Sequence, residues 1–212
     1  MSELGKNQGN ANRNHPTTEF HVNRVRAGDP SAFAQLYERL APSLDAWSQL
    51  RVTGSLRDYI EPSDIIQEVW WRAMDAFDRY DSAKSGFRPW IFTIATNVLL
   101  EWNRKRRRKI RIEPKSLADR TASLPPALAK QATSVGRGLS LNESVKKLVS
   151  IVALLDEEDR AVFVHCGLEG LTAAEVAMLV GTNADSVNKR WQRLREKLGA
   201  HPIWHEFDPS EN

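Results

Sequence analysis

Apolar residues recur at three- and four-residue intervals along almost the whole chain after residue 20, and no alternating strand pattern competes. In "DPSAFAQLYERLAPSLDAWSQLRV" (29–52), Phe33, Leu36, Tyr37, Leu40, Leu44 and Trp47 share one helical side, and Asp29-Pro30-Ser31 supplies a start signal. A second helix is predicted over 63–80, after Pro62. At about 100° per residue, Ile65, Ile66, Val69, Ala73, Ala76, Phe77 and Tyr80 form its broad apolar stripe. Asp64, Gln67, Glu68, Trp71, Asp75 and Asp78 lie opposite, which leaves Trp71 exposed on an acidic face. The stretch "DSAKSG" (81–86) is loop chemistry. The helix after it has a core stripe of Phe87, Ile91, Ile94, Ala95, Val98 and Trp102, with Phe92, Thr96, Leu100 and Asn103 on the far side. Residues 112–142 break the periodicity with three prolines and many small residues, and read as a flexible linker. Helices resume at 143–155, at Asp156 with acids in its first turn, and over 171–199. The expected fold is all-α: two small helical domains joined by a linker. The domain boundaries are a disordered leader over 1–20, a helical domain over 21–111, the linker over 112–142, a second helical domain over 143–200 and a tail over 201–212.

Charge sharpens this picture. The chain of 212 residues carries a net charge of only +3, but the charge is unevenly placed. Residues 21–103 hold nine Lys/Arg against eleven Asp/Glu, and then seven of the eight residues from Arg104 to Arg111 are basic. One or two cations suffice for a solvated helix end, so seven suggest a polyanionic partner. In the C-terminal part, 156–185 holds seven acids and only Arg160, whereas the helix that follows holds Lys189, Arg190, Arg193, Arg195 and Lys197 against Glu196. The single cysteine, Cys166, excludes an internal disulfide and fits a reducing cytoplasm. The polar N-terminus has no apolar core of a secretory signal, and no apolar run is long enough to span a membrane.

Two constellations carry chemistry. Residues 172–198 have the make-up of a helix-turn-helix: a Thr172/Glu175 capping box, a short helix, Gly181 in the turn, Asn183 as a second cap, then the basic helix. Ala177 and Val187 stand where the helices meet. The second helix would present Asn188 and Gln192 to adenine edges and Lys189 and Arg193 to guanine. A helical hairpin with a solvated basic face is the plain alternative, and the clean segregation of charge favours DNA. The second constellation is the 104–111 run. It continues a helix carrying Phe92 on its outer side, and basic groove plus aromatic platform is how proteins hold single strands. His201 and His205 are spaced as a metal pair but stand beside Pro202 with no further ligand pattern, so no metal or other cofactor is expected. No phosphate loop, dinucleotide fingerprint or nucleophile elbow is present, so the chain is not expected to be an enzyme.

The blocks "AGDPSAFAQLYERLAPSL" and "DIIQEVWWRAMDAFDRYDSAKSGFRPWIFTIATNVLLEWNRKRRR" resemble region 2 of the RNA polymerase sigma-70 family, in its extracytoplasmic-function (ECF) group. "LLDEEDRAVFVHCGLEGLTAAEVAMLVGTNADSVNKRWQRLREKL" resembles region 4. The order of the blocks, the linker and the lack of a region 3 domain agree with that group. The resemblance implies a cytoplasmic bacterial subunit that binds core RNA polymerase and directs recognition and melting of promoter DNA. It implies a region 2 helical bundle and a region 4 helix-turn-helix. It assigns Asp64, Gln67, Glu68 and Trp71 to the β′ clamp helices, and region 4 to the β flap. Asp81, Ser82, Lys84, Phe87, Phe92, Thr96, Asn97, Arg104, Arg106, Arg107 and Arg108 fall to the −10 strand. Ser186, Asn188, Lys189, Arg190, Gln192, Arg193 and Lys197 fall to the −35 element. An anti-sigma factor is a further partner class open to such a protein. Asn188, Lys189 and Trp191 depart from the residues usual in the group, which leaves the −35 sequence open. The rivals are an ordinary helix-turn-helix regulator, which need not bind polymerase, and a basic RNA-associated protein without promoter preference.

Overall fold

The structure, a computed structural model, describes residues 17–29, 31–108 and 143–199, and every regular element among them is helical. The predicted linker, most of the predicted leader and the tail with His201 and His205 lie outside the described residues. The N-terminal half comprises α1 (Thr18–Arg26), α2 (Ala32–Arg51), α3 (Pro62–Ala76) and α4 (Phe87–Arg107). The C-terminal half comprises α5 (Glu143–Ala153), α6 (Glu157–Val162), α7 (Ala173–Val180) and α8 (Ala184–Gly199). Helix α1 starts inside the stretch expected to be disordered. The Thr17 hydroxyl accepts from the Phe20 amide and so caps it, and Val22 is buried.

Local chemistry accounts for the ends. Asp29 accepts from the Ser31 amide at 2.8 Å, a turn that launches α2. Pro62 sits at the start of α3, where its missing N–H costs nothing, and the Glu61 amide donates to Asp64 at 3.2 Å. The expected 63–80 helix ends early: after Ala76 it tightens into a 3₁₀ turn, Phe77–Arg79, which swings Phe77 and Tyr80 into the core. Asp156 caps α6 through the Asp159 amide at 2.7 Å, and Thr172 and Glu175 cap α7 reciprocally.

Helix α2 is the centre of the molecule and packs against α1, α3 and α5. Leu36, Leu40, Leu44 and Trp47 are all buried, as are Trp70 of α3 and Ile91, Ala95 and Val98 of α4. Trp70, absent from the predicted stripe, meets Phe33 and Tyr37 edge-on, with centroids 5.7 and 5.1 Å away.

The two halves are not separate. Val145, Leu148 and Val152 of α5 join the same apolar cluster as α2. Helix α6 runs on into a π-helical turn, Phe163–Leu168, in which the Glu169 amide bonds back to the Val164 carbonyl at 3.0 Å. This turn faces the N-terminal half. Arg88, buried in the first turn of α4, donates to the Leu168 carbonyl at 2.7 Å and the Gly167 carbonyl at 3.4 Å. It also reaches the Ser43 hydroxyl at 3.3 Å. A cation from one half thereby caps the carbonyl end of a helix in the other. One residue on, the Glu169 carboxylate is buried. It accepts from the Trp47 indole at 2.7 Å, lies 3.3 Å from Arg51 and 2.6 Å from His165 Nδ1. Burial pushes its pKa up, but His165, Trp47 and Arg51 together outweigh that and hold it below the ordinary carboxylate value.

Candidate nucleic-acid interface

Helices α7 and α8 meet through a turn that the sequence specifies residue by residue. Gly181 adopts φ +72°, a left-handed conformation that favours glycine, and ends α7. Asn183 then accepts from the Ser186 amide at 2.8 Å and starts α8. Val187, Leu194 and Leu198 form the buried stripe of α8, with Trp191 partly buried among them. Trp191 lies so close to Gly167 that a Cβ there would stand 2.9 Å from the indole, so the π-helical turn and the large tryptophan fit each other through a glycine.

With that stripe turned inward, Ser186, Asn188, Lys189, Gln192, Arg193 and Lys197 all project to solvent. This is a polar and basic helix face of the kind that enters a major groove. Arg190 departs from the expectation that it reads DNA. Its guanidinium is tied to Asp159 at 2.7 Å, to Glu158 and, at 3.8 Å, to Asp156. The acids that begin α6 thus take this arginine for the fold, and these partners raise its pKa.

The second surface lies along α4. Thr93, Thr96, Asn97 and Leu100 are exposed in one row that leads to Arg104. The helix continues through the basic residues to Arg107, and Arg104, Arg107 and Arg108 are exposed. Two others turn back: Lys105 lies 4.9 Å over the Trp102 ring, and Arg106 donates to the Ser55 hydroxyl. Lys109 and Arg111 lie outside the described residues. The loop before α4 is held from three sides. Arg26 donates to the Tyr80 carbonyl at 2.9 Å, the Tyr80 hydroxyl donates to the Ser85 carbonyl at 3.1 Å, and Asp81 accepts from the Ala83 amide at 3.0 Å. Asp81, Ser82 and Lys84 are thereby presented outward.

Two aromatics expected on this surface are not there. Phe92 is 2% exposed, with its ring 6.0 Å from that of Trp47. The single-stripe expectation fails because α4 is covered on two sides, by α3 and by the Trp47 region of α2. Phe87 is 4% exposed, edge-on to Tyr80 at 5.5 Å and packed near Phe77 and Trp90. Neither ring can stack a base in this conformation. The sequence contained no sign of Arg26, which anchors the loop from 54 residues away.

The acidic side of α3 is also more internal than its spacing implies. Arg72 forms a bidentate pair with Glu101 of α4 at 2.7 and 2.8 Å and binds Glu68 at 2.7 Å. The Glu68 side chain is only 12% exposed. These bonds raise the pKa of Arg72, and the bond from Arg72 lowers that of Glu101. Asp64, Gln67 and Trp71 are partly exposed, so Trp71 is not the fully exposed ring that its position suggests. A separate apolar group, Leu154, Met178, Leu179 and Val180, is exposed on the C-terminal half. Among the described residues there is no His/Cys/Asp/Glu group fit for a metal ion, and no helix long and apolar enough to cross a membrane.

Comparison with known proteins gives two family matches: sigma-70 region 2 over residues 36–109 and sigma-70 region 4 over 146–198. The RNA polymerase sigma factor NccH of Alcaligenes xylosoxydans xylosoxydans is 30% identical, over 86% of this chain and 92% of its own. CnrH of Cupriavidus metallidurans is 26% identical, over 84% and 90%. The ECF RNA polymerase sigma factor SigG of Mycobacterium tuberculosis is 34% identical over 82% of this chain, which spans about half (48%) of that protein. A solved structure of CnrH in complex with the cytosolic domain of CnrY overlaps with a TM-score of 0.44 at 22% identity, covering 86% of this chain and 95% of that one.

Proposed function

Because the chain belongs to the ECF group of the sigma-70 family, and so binds core RNA polymerase and directs promoter recognition and transcription initiation without being an enzyme, we propose how its surfaces divide that work. Helix α8 reads the −35 element through Ser186, Asn188, Lys189, Gln192, Arg193 and Lys197. The 81–86 loop and the outer row of α4, Thr96 and Asn97, face the opened −10 strand, with Arg104, Arg107 and Arg108 on its phosphates. Asp64, Gln67 and Trp71 contact the β′ clamp helices, and the apolar group around Met178 and Leu179 suits the β flap.

The observation that carries this reading is the α7–Gly181–α8 geometry, which turns one uninterrupted polar and basic face of α8 outward. Arg193 sits among the groups able to reach base edges, and Lys197 one turn further toward the backbone. Arg193→Ala is expected to cost about 1–3 kcal/mol at one base position, and Lys197→Ala to weaken all sequences evenly. Binding of polymerase holoenzyme to −35 variants measures both. Equal losses on matched and scrambled sites for the two variants would remove Arg193 from base readout.

A further inference from the structure

The bonds that shape the 81–86 loop come in part from a helix ahead of the matched family regions. The region 2 match begins at residue 36, and α1 precedes it. Helix α1 is set on the body by a turn that its own sequence builds. Gly28, at φ +83°, reverses the chain, and Asp29 accepts from Arg24 Nε at 2.9 Å. Arg24 also donates to Gln35 of α2 at 2.6 Å, and Val22 is buried. The last residue of α1, Arg26, is thereby carried to the foot of the loop.

There the guanidinium meets the loop's origin in three ways. It donates to the Tyr80 carbonyl at 2.9 Å and to the Ser82 hydroxyl at 3.4 Å, and its carbon lies 5.4 Å over the Tyr80 ring. Tyr80 is itself fixed in the core beside Phe87 and Trp90, and its hydroxyl ties the far end of the loop at the Ser85 carbonyl. Packing does little for the residues between. Asp81, Ser82, Ala83 and Lys84 are exposed, and a cavity of about 400 Å³ separates the loop from α1, with Thr18, Val22, Asn23, Ser82 and Phe87 in its walls. Hydrogen bonds therefore hold the loop's shape. Without them the loop would order only on meeting the strand, and the backbone freedom lost would be comparable with what one captured base returns. A loop ordered in advance avoids that cost.

We propose, on the assignment of the 81–86 loop to the −10 strand made above, that Arg26 is a positioning residue for −10 recognition. It fixes the Tyr80–Asp81 peptide, and with it the direction in which Asp81, Ser82 and Lys84 leave the core. Through them it sets how strongly the protein prefers one −10 base over another. Arg26 has no carboxylate partner among the described residues, so the rival role is a plain phosphate contact. The two roles differ in their signature: a phosphate contact carries no sequence information, and its loss flattens the salt dependence.

The test uses the full chain assembled with core polymerase, on promoters that carry each of the four bases at one −10 position. The ratio of the fastest to the slowest rate of open-complex formation measures discrimination. Arg26→Met is expected to lower this ratio at least threefold. Helicity by circular dichroism and the ratio between matched and altered −35 sites should stay unchanged. Arg26→Lys keeps the charge but loses the planar fork that reaches a carbonyl and a hydroxyl together. It should retain the salt dependence and still fall at least twofold in −10 discrimination, and it decides alone if Arg26→Met loses helicity. A uniform loss on all four bases, restored by Arg26→Lys, would make Arg26 a phosphate contact and overturn the proposal. The variant Ser82→Ala with Lys84→Ala separates this from the loop's own assignment. A ratio that falls in that variant but not in Arg26→Met removes Arg26 and leaves the −10 loop in place; a ratio moved by neither removes both.

Discussion

Single side chains in this molecule are often claimed by the fold before a partner can use them. Arg190 and Glu68 have the charge and helical position of interface residues, yet both are bonded internally. Removing Arg190 should act on stability as well as on DNA. Arg190→Ala is expected to lose about 1 kcal/mol in chemical denaturation, since its partners Glu158 and Asp156 are largely exposed. Its effect on promoter affinity should be uniform across −35 sequences. Arg72 has more to lose, because the largely covered Glu68 and the Glu101 carboxylate would both lose this guanidinium. Arg72→Ala is expected to cost about 2 kcal/mol, and Arg72→Lys to restore little, because a lysine cannot make the two parallel bonds to Glu101. Urea titration of the three proteins distinguishes these outcomes. At Gly167 the prediction is steric: Gly167→Ala pushes on the Trp191 ring and should cost about 1–3 kcal/mol, with a shift in tryptophan fluorescence.

At the scale of elements, the sequence was readable wherever one signal decided the outcome. The helices, the capping box at Thr172, the turn at Gly181 and Val187 as the buried anchor of α8 follow from local pattern and appear as expected. Phe92 was misplaced because periodicity measures one buried side and α4 has two, whereas Phe87 lies in the core as its stripe position predicts and against the −10 assignment that the resemblance implied. The early end of α3 escaped because nothing in "DAFDRY" breaks a helix; the pull of Phe77 and Tyr80 into the aromatic cluster does. With those rings withdrawn, α4 must hold a strand mainly through polar groups and phosphates. Replacing Arg104, Arg107 and Arg108 with Gln is expected to flatten the dependence of open-complex formation on log salt, by about 0.7 for each phosphate no longer neutralised. Replacing Lys105 and Arg106, which turn back to Trp102 and Ser55, should change that slope less. A stopped-flow series across salt concentrations compares the triple variant with the double one.

For the molecule as a whole, one ionised carboxylate lies at the seam between its halves, beside the Arg88 bonds and the apolar packing of α5 on α2. Glu169 titrates below the ordinary carboxylate range in the folded protein, so its contribution is complete above that range and is lost as pH falls through the lowered value. The groups facing it are Arg51, the Trp47 indole and His165. Acid titration by scattering is therefore expected to show expansion only as pH falls below the ordinary carboxylate range, while helicity persists, and Glu169→Gln should remove most of that pH dependence. The π-helical turn beneath this carboxylate has a consequence for how the chain can vary. It holds one residue more than an α-helical turn would. Deleting a single residue between Phe163 and Leu168 would regularise the helix and leave α7 and α8 able to fold as a pair. Because the wide turn absorbs the extra residue, its removal would leave the helix faces before and after it in nearly the same phase, and the change would fall on the carbonyls of Gly167 and Leu168 that Arg88 caps.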